Sequence, residues 1–176
     1  MIFSTPHTLT RPATAADAEL VHTLYHGTPG YFEIISIPIP TLSEVKTELA
    51  TAVDDARRFT ELVLLPPKLQ FPWSSEALLD PLSGRPVAGY LDYKIDYPLS
   101  GDATVNLLLI HSAVQNMGVG RRCVLDLESR LRDKAKRVLA SIYGQNTRAE
   151  RFWRSLGYQF AIDAKPVLDW YAKSLT

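Results

Sequence analysis

The feature that most constrains the fold is a glycine-containing turn at residues 115–122, between an apolar segment and an amphipathic one. Residues 105–110 before it are apolar apart from Asn106, as expected of a buried strand. After it, four apolar residues recur at intervals of four, at Val119, Cys123, Leu127 and Leu131. This spacing predicts one buried face of a helix, so the turn joins a strand to a helix.

Gly118 and Gly120 stand at this predicted strand-to-helix junction. The first amides of a helix have no partner within the helix, and the macrodipole adds partial positive charge there. Because glycine lacks Cβ, the backbone can approach an anion closely. The junction therefore predicts a phosphate site, with a plain turn that uses glycine for its geometry as the alternative.

Two nucleotide motifs are excluded. No Gly-Lys-Ser/Thr is present, and Gln115 takes the place of the first glycine of the dinucleotide fingerprint. The remaining Gln-x-x-Gly-x-Gly pattern resembles the acyl-CoA pyrophosphate loop of the GNAT superfamily of N-acyltransferases. The preceding run 110–115 is similar to the strand exit of that family, with Ser112 where a proline is usual.

A second motif at residues 146–158 supports the same resemblance. Its order is Asn146, Ala149, the aromatic pair Phe152–Trp153 and then Gly157–Tyr158. In physical terms, it is a short helix with Asn146 as N-cap and Gly157 as C′ residue. With the segment 11–14 near the start, the resemblance covers most of the chain, but it does not identify the substrate.

The resemblance implies an α/β (α+β) fold, in which a central, mixed, mostly antiparallel sheet is flanked by helices. The whole chain, 1–176, is expected to be a single GNAT acetyltransferase domain. The pattern predicts strands at 8–11, 59–65, 86–97, 103–110, 138–143, 158–162 and 167–173. Helices are predicted at 14–25, from 41 to 54 or 55, from the glycine turn to 136, and from Asn146. Residues 27–30 are interpreted as a helix-breaking segment, and 66–86 as an extended loop.

In this family, the central strand and the strand after its helix run parallel and splay apart. The pantetheine arm of acetyl-CoA inserts into the gap and bonds like an added strand. The resemblance thus implies acetyl-CoA as co-substrate, with no metal. The residues expected to hold it are Leu109, Ile110, His111, Gln115, Asn116, Met117, Gly118, Val119, Gly120, Arg121, Asn146, Ala149, Phe152 and Trp153.

The implied chemistry is direct attack of an amine on the thioester carbonyl of acetyl-CoA. Trp153 stands where the family often has the tyrosine that serves as acid, and an indole N–H is not an acid near neutral pH. Tyr143 and Tyr158 are the alternative acids. Asp92 is a candidate base, with Asp96 or a chain of waters left open.

The acceptor is expected at two segments that exceed a minimal version of the fold, 27–32 and 66–86. They carry the predicted substrate-binding residues Tyr31, Phe32 and Trp73. Aromatic faces suit an amine through apolar and cation–π contact. Glu33 and Glu76 would add negative charge for a cationic acceptor.

Composition narrows the class of protein further. The formal net charge is zero, so no global charge favours nucleic acid. No apolar stretch is long enough to cross a membrane, and the first residues lack the pattern of a signal peptide. The single cysteine, Cys123, lies on the apolar helix face and is interpreted as a core residue. We therefore expect a cytoplasmic monomer or homodimer that binds neither nucleic acid nor membrane.

The sequence thus predicts an acetyl-CoA-dependent N-acetyltransferase acting on a primary amine of a small molecule or a protein. The alternative is a catalytically impaired CoA-binding module of the same fold, with a regulatory or interaction role.

Overall fold

The computed structural model describes residues 9–65, 78–165 and 168–176. These residues form a sheet of seven strands in the order β1-β2-β3-β4-β5-β7-β6. The strands are β1 Thr10–Pro12, β2 Arg58–Leu64, β3 Val87–Ile95, β4 Asp102–Ile110, β5 Arg137–Tyr143, β6 Gln159–Lys165 and β7 Leu168–Ser174. Only β4 and β5 pair in parallel, and the other neighbouring strands are antiparallel. The predicted mixed, mostly antiparallel sheet is confirmed.

The helices divide between the two faces of the sheet. They are α1 Ala18–His26, α2 Pro29–Ile35, α3 Leu42–Ala52, α4 Val119–Leu131 and α5 Thr147–Ser155. One apolar core joins α1, α2 and α3 to the sheet, and a second core joins α4 and α5 to its opposite face. The predicted face of α4 is buried, with Cys123, Leu127 and Leu131 at most 2% exposed. Within the part of the chain that the structure describes, no helix is long and apolar enough to span a bilayer.

The sequence-based prediction missed one helix, α2. The run Gly-Thr-Pro-Gly was predicted to break the first helix, and α1 does end at His26, but Pro29 also occupies the first turn of α2. Proline is favoured there because its fixed φ suits a helix and its missing N–H would be unpaired anyway. The helix ends at Ser36, which has a left-handed φ of 56°. The prediction for α4 was also too long, since that helix ends at Leu131.

The segment 66–86 was predicted to be an extended loop, and its residues 66–77 lie outside the described ones. Residues 78–86 instead form a tight turn, in which Gly84 N donates to the carbonyl of Asp80. The Asp80 side chain is fully buried and accepts two hydrogen bonds from Arg11, at 2.6 and 2.9 Å. Arg11 also binds Asp17, which caps the turn before α1. This cluster ties β1, the start of α1 and the turn before β3 together.

Candidate active site

The turn after β4 is built largely by backbone conformations that favour glycine and asparagine. Asn116 has a φ of 63° and Gly118 a φ of 80°. Gly118 is the N-cap of α4 and has no side chain to occupy the first amides of the helix. Gln115 closes the turn, because its Nε2 donates to the carbonyl of Ile110 at 2.8 Å. The first turn of α4 is thus open to an anionic ligand.

Strands β4 and β5 splay apart beside this turn. Their parallel register runs from Asp102–Arg137 to Val105–Ala140 and stops there, although both strands continue. Beyond Val105, the β5-facing edge of β4 therefore pairs with no strand among the described residues. Burial changes at the same point, since the residues of β4 up to Val105 are buried and most of those after it are half-buried. The predicted splay is present.

A cleft of about 1080 Å³ occupies the gap. Its walls come from α2 on one face of the sheet and from the starts of α4 and α5 on the other. Among the described lining residues, the charged side chains are Arg121, Arg148 and Arg151, all exposed, and none is acidic. The cleft therefore passes through the sheet, with its positive charge on the side of α4 and α5.

Most of the residues predicted to hold the cofactor line this cleft. They are Leu109, Ile110, Gln115, Asn116, Gly118, Val119, Gly120, Arg121, Asn146, Ala149, Phe152 and Trp153. Two are not in the lining. Met117 is 57% exposed, and His111 turns away to pack on Gly27, with its Nδ1 accepting from Ala113 N at 3.1 Å. Burial lowers the pKa of His111, which favours its neutral form.

The motif helix α5 forms the wall opposite the glycine turn. Asn146 caps it, since its Oδ1 accepts from Ala149 N at 3.0 Å. A Cβ built on Gly120 would lie 3.4 Å from the Phe152 ring, so the two helices meet closely at this glycine. Trp153 is 5% exposed and packs edge to face on Phe152 and on Tyr158. Its indole is therefore held in the wall by rings on two sides.

The structure brings one of the three predicted catalytic residues into the cleft. Tyr143, at the end of β5, lines it and is 38% exposed. Tyr158 does not line it: the ring is buried, and its hydroxyl donates to Glu128 Oε1 at 3.2 Å. Burial and the Glu128 carboxylate raise the pKa of Tyr158. Asp92 also does not line the cleft, because its carboxylate is buried against Arg58.

Only some of the predicted acceptor residues line the cleft. Tyr31 lines the cleft. Its burial, and to a smaller extent the neighbouring Tyr143, raise its pKa to about 12. Phe32 points into the core instead, where it packs on Tyr25. Phe32 and Glu33 border a smaller cavity of about 320 Å³. Trp73 and Glu76 lie outside the described residues.

Several lining residues lie outside the predicted site residues and segments. They include Ile34, Asn106, Ser141, Arg148 and Arg151. A signal existed for the two arginines, because residues three apart share a helix face and both fall in the second motif. Across the described ranges, no group of three or more His, Cys, Asp or Glu side chains is placed to hold a metal ion.

Comparison with known proteins agrees with this geometry. The sequence model of the acetyltransferase (GNAT) family matches residues 43–158, so the chain belongs to the GNAT family of acetyltransferases. A search of curated proteins finds no match. Among solved structures, an acetyltransferase from Thermus thermophilus is 34% identical, with a TM-score of 0.80 over 94% of this chain and 95% of that one.

Two more distant structures are similar in fold alone. A PaiA N-acetyltransferase from Thermoplasma acidophilum, solved with coenzyme A, has a TM-score of 0.65 at 11% identity, over 94% of this chain and 97% of that one. A putative GNAT acetyltransferase from Desulfovibrio desulfuricans has a TM-score of 0.69 at 15% identity, over 95% and 98%.

Proposed function

We propose that this protein transfers the acetyl group of acetyl-CoA to a primary amine by direct attack in a ternary complex. The observation that carries the proposal is the cleft between β4 and β5, whose lining residues come from both faces of the sheet. A cofactor on one face and an acceptor on the other would meet in the gap. Holding two reactants together in this way supplies much of the catalysis of a group transfer.

The face of α4 and α5 suits the cofactor. The first turn of α4 offers amides that a helix leaves without an internal partner, and Arg121, Arg148 and Arg151 add the cations that the phosphates of CoA require. The unpaired edge of β4 from Leu108 to Ile110 would accept the pantetheine arm as an added strand. Bound acetyl-CoA supplies the thioester, and the protein supplies the anion site, the strand edge and the walls.

The face of α2 suits the acceptor. Tyr31, Ile34 and Tyr143 present partly apolar surface there. The Tyr31 hydroxyl can donate a hydrogen bond to the acceptor, since a phenol is protonated at neutral pH. We assign the acid role toward the leaving thiolate to Tyr143. Because the described lining holds no carboxylate, we propose that the amine loses its proton to water before it attacks.

Amine-dependent release of free thiol from acetyl-CoA, measured across a panel of amines with mass spectrometry of the product, tests the proposal. We expect at least one amine to be acetylated, and Tyr143→Phe to lower kcat by roughly a hundredfold or more, as for loss of an acid catalyst. Absence of turnover with every amine would contradict an enzymatic role.

The alternative is a CoA-binding module that has lost catalysis. Two observations favour it: Trp153 replaces the phenol usual at that position, and the neighbouring Tyr158 is committed to Glu128. The same experiment separates the two functions, because this alternative predicts CoA binding without acetylation of any amine.

A further inference from the structure

Asn106 occupies an irregular position in the central strand. On the β3 side, Asp92 pairs with Leu107 and the next residue, Tyr93, pairs with Val105, so Asn106 has no partner in that register. On the β5 side, the register ends at Val105. Asn106 is therefore the extra residue of a β-bulge in β4. It lies at the first position of β4 beyond the pairing with β5.

The bulge decides which way the rest of β4 faces. Residues two apart on a regular strand point to the same face. Val105 belongs to the core under α4, whereas Leu107 packs with the core under α1. The extra residue thus reverses the alternation, and Leu108 and Ile110 face α4 because of it. Without the bulge, these side chains would exchange faces.

A buried carboxylate holds the bulge. Asn106 Nδ2 donates to Asp92 Oδ1 at 3.1 Å. Asp92 is 3% exposed, and Arg58 donates to both of its oxygens. Arg58 in turn binds Glu48 Oε1 of α3 at 2.9 Å. The side chains of Glu48, Arg58, Asp92 and Asn106 are therefore connected by hydrogen bonds. They link α3 to the position where β4 separates from β5.

These contacts also restrict what Asp92 can do. Its oxygens accept from three donor groups, the Asn106 amide and two nitrogens of Arg58, and they do not line the cleft. A carboxylate so committed is poorly placed to take a proton from an acceptor amine. Its geometry suits fixing a neighbour instead.

We propose that Asp92 is a positioning residue, which acts through Asn106 to fix the bulge at the point where β4 and β5 separate. This inference rests on the proposed acetyl transfer, because the bulge sets the strand edge on which the thioester would lie. Displacements of about 1 Å at such a point lower rates by roughly a hundredfold.

The test compares Asn106→Ala, Asp92→Asn and their double variant with Asp102→Asn. Asp102 is a matched control: it starts the same strand, is similarly buried and is bound by two nitrogens of Arg137, at 3.0 and 2.8 Å, but it does not line the cleft. We expect Asn106→Ala to lower kcat per folded molecule by about 10- to 100-fold. The KM for acetyl-CoA should rise by a smaller factor than kcat falls, because the glycine turn is untouched.

Three further results are expected. Asp102→Asn keeps the wild-type kcat. The double variant loses no more than the worse single variant, since both act through one contact. The pH–rate profile of Asp92→Asn keeps its shape, whereas loss of one limb would make Asp92 an acid or base and overturn the proposal. Equal losses in Asn106→Ala and Asp102→Asn, or no loss in Asn106→Ala, would also overturn it.

Amide hydrogen exchange provides a readout that needs no turnover. We expect faster exchange at residues 106–110 in Asn106→Ala and Asp92→Asn but not in Asp102→Asn. If the wild-type protein acetylates no amine, the proposed function fails, while exchange still decides whether Asp92 holds the bulge. Unchanged exchange at 106–110 in both variants would contradict the inference.

Discussion

The imidazole of His111 lies directly against the backbone of Gly27: a Cβ built on Gly27 would stand 2.3 Å from Cδ2 and 2.4 Å from Nε2 of His111. The two residues lie far apart in the sequence and follow different elements. Gly27 follows α1, and His111 follows β4. A hydrogen bond from Ser112 N to the carbonyl of Gly27, at 3.2 Å, reinforces the contact. The end of α1 is thus docked on the exit of the central strand.

Gly27→Ala should therefore destabilise the protein by about 1–3 kcal/mol, as overpacking does in a fitted site. Thermal or urea unfolding measures this. Gly30→Ala is the matched control, because no heavy atom lies within 4 Å of a Cβ built there. It sits in α2 and should be neutral or slightly stabilising. Equal stability of the two variants would show that His111 yields without cost.

Trp153 is expected to act by packing. Trp153→Phe should lose about 1–2 kcal/mol of stability, since a smaller ring leaves space between Phe152 and Tyr158. The shape of the pH–rate profile should not change, because the indole carries no titrating proton. A large loss of kcat in a folded Phe variant would show that the indole does more than pack.

Arg11 neutralises two buried carboxylates. Burial alone would raise the pKa values of Asp17 and Asp80, but hydrogen bonds from Arg11, with further donors, lower both. Their stabilising contribution is therefore present above about pH 4 and is lost as the pH falls through the lowered pKa values. Arg11→Met should cost about 3–5 kcal/mol near neutral pH, because both buried carboxylates lose the positive charge of Arg11.

The pH dependence of that cost is the sharper test. In Arg11→Met the carboxylates protonate more readily, so the difference from wild type should shrink as the pH falls toward about 4 and below. Unfolding by urea at several pH values measures it. Arg57→Met, which removes an exposed pair with Asp55, is the control and should change stability by less than about 1 kcal/mol. A cost that does not vary with pH would exclude the proposed ion-pair origin.

The segment before the Asp80 turn is expected to contribute to the acceptor site. Deletion within 68–76 should raise the KM for the amine far more than the KM for acetyl-CoA. The deletion must stop before Asp80, since that residue anchors Arg11. Steady-state kinetics with each substrate varied in turn gives both constants. Equal effects on the two constants, or none on either, would show that the segment lies outside the acceptor site.

Hydrophobic periodicity predicted the strands and the face of α4, because the spacing of apolar residues within one segment indicates which side chains are buried. The same holds for the glycine turn and for the cap at Asn146, where one residue decides the local geometry. Helix α2 was missed because Pro29 has two opposite meanings. Proline ends a helix from within but begins one at its first turn.

The catalytic candidates were less predictable because their environments come from distant partners. Tyr158 is removed from the cleft by Glu128, and Asp92 by Arg58, which is 34 residues away in the chain. The bulge at Asn106 could not be predicted either, since it depends on how β3 and β4 align. Periodicity within one strand does not report such pairing.

A calorimetric titration of the protein with acetyl-CoA, with Gly120→Glu and Leu125→Glu alongside, measures directly whether this cleft binds the cofactor. Gly120 lines the cleft at the first turn of α4, so a carboxylate there would occupy the proposed phosphate site. Leu125 is 42% exposed on the same helix and does not line the cleft, so Leu125→Glu adds the same charge away from the site.

We expect one acetyl-CoA to bind per chain of wild type and of Leu125→Glu, with a stabilisation of about 2.7 kcal/mol at a hundredfold excess over Kd. We expect no binding by a folded Gly120→Glu variant at those concentrations. Absence of binding by the wild type, or equal binding by Gly120→Glu, would contradict the assignment of this cleft to acetyl-CoA.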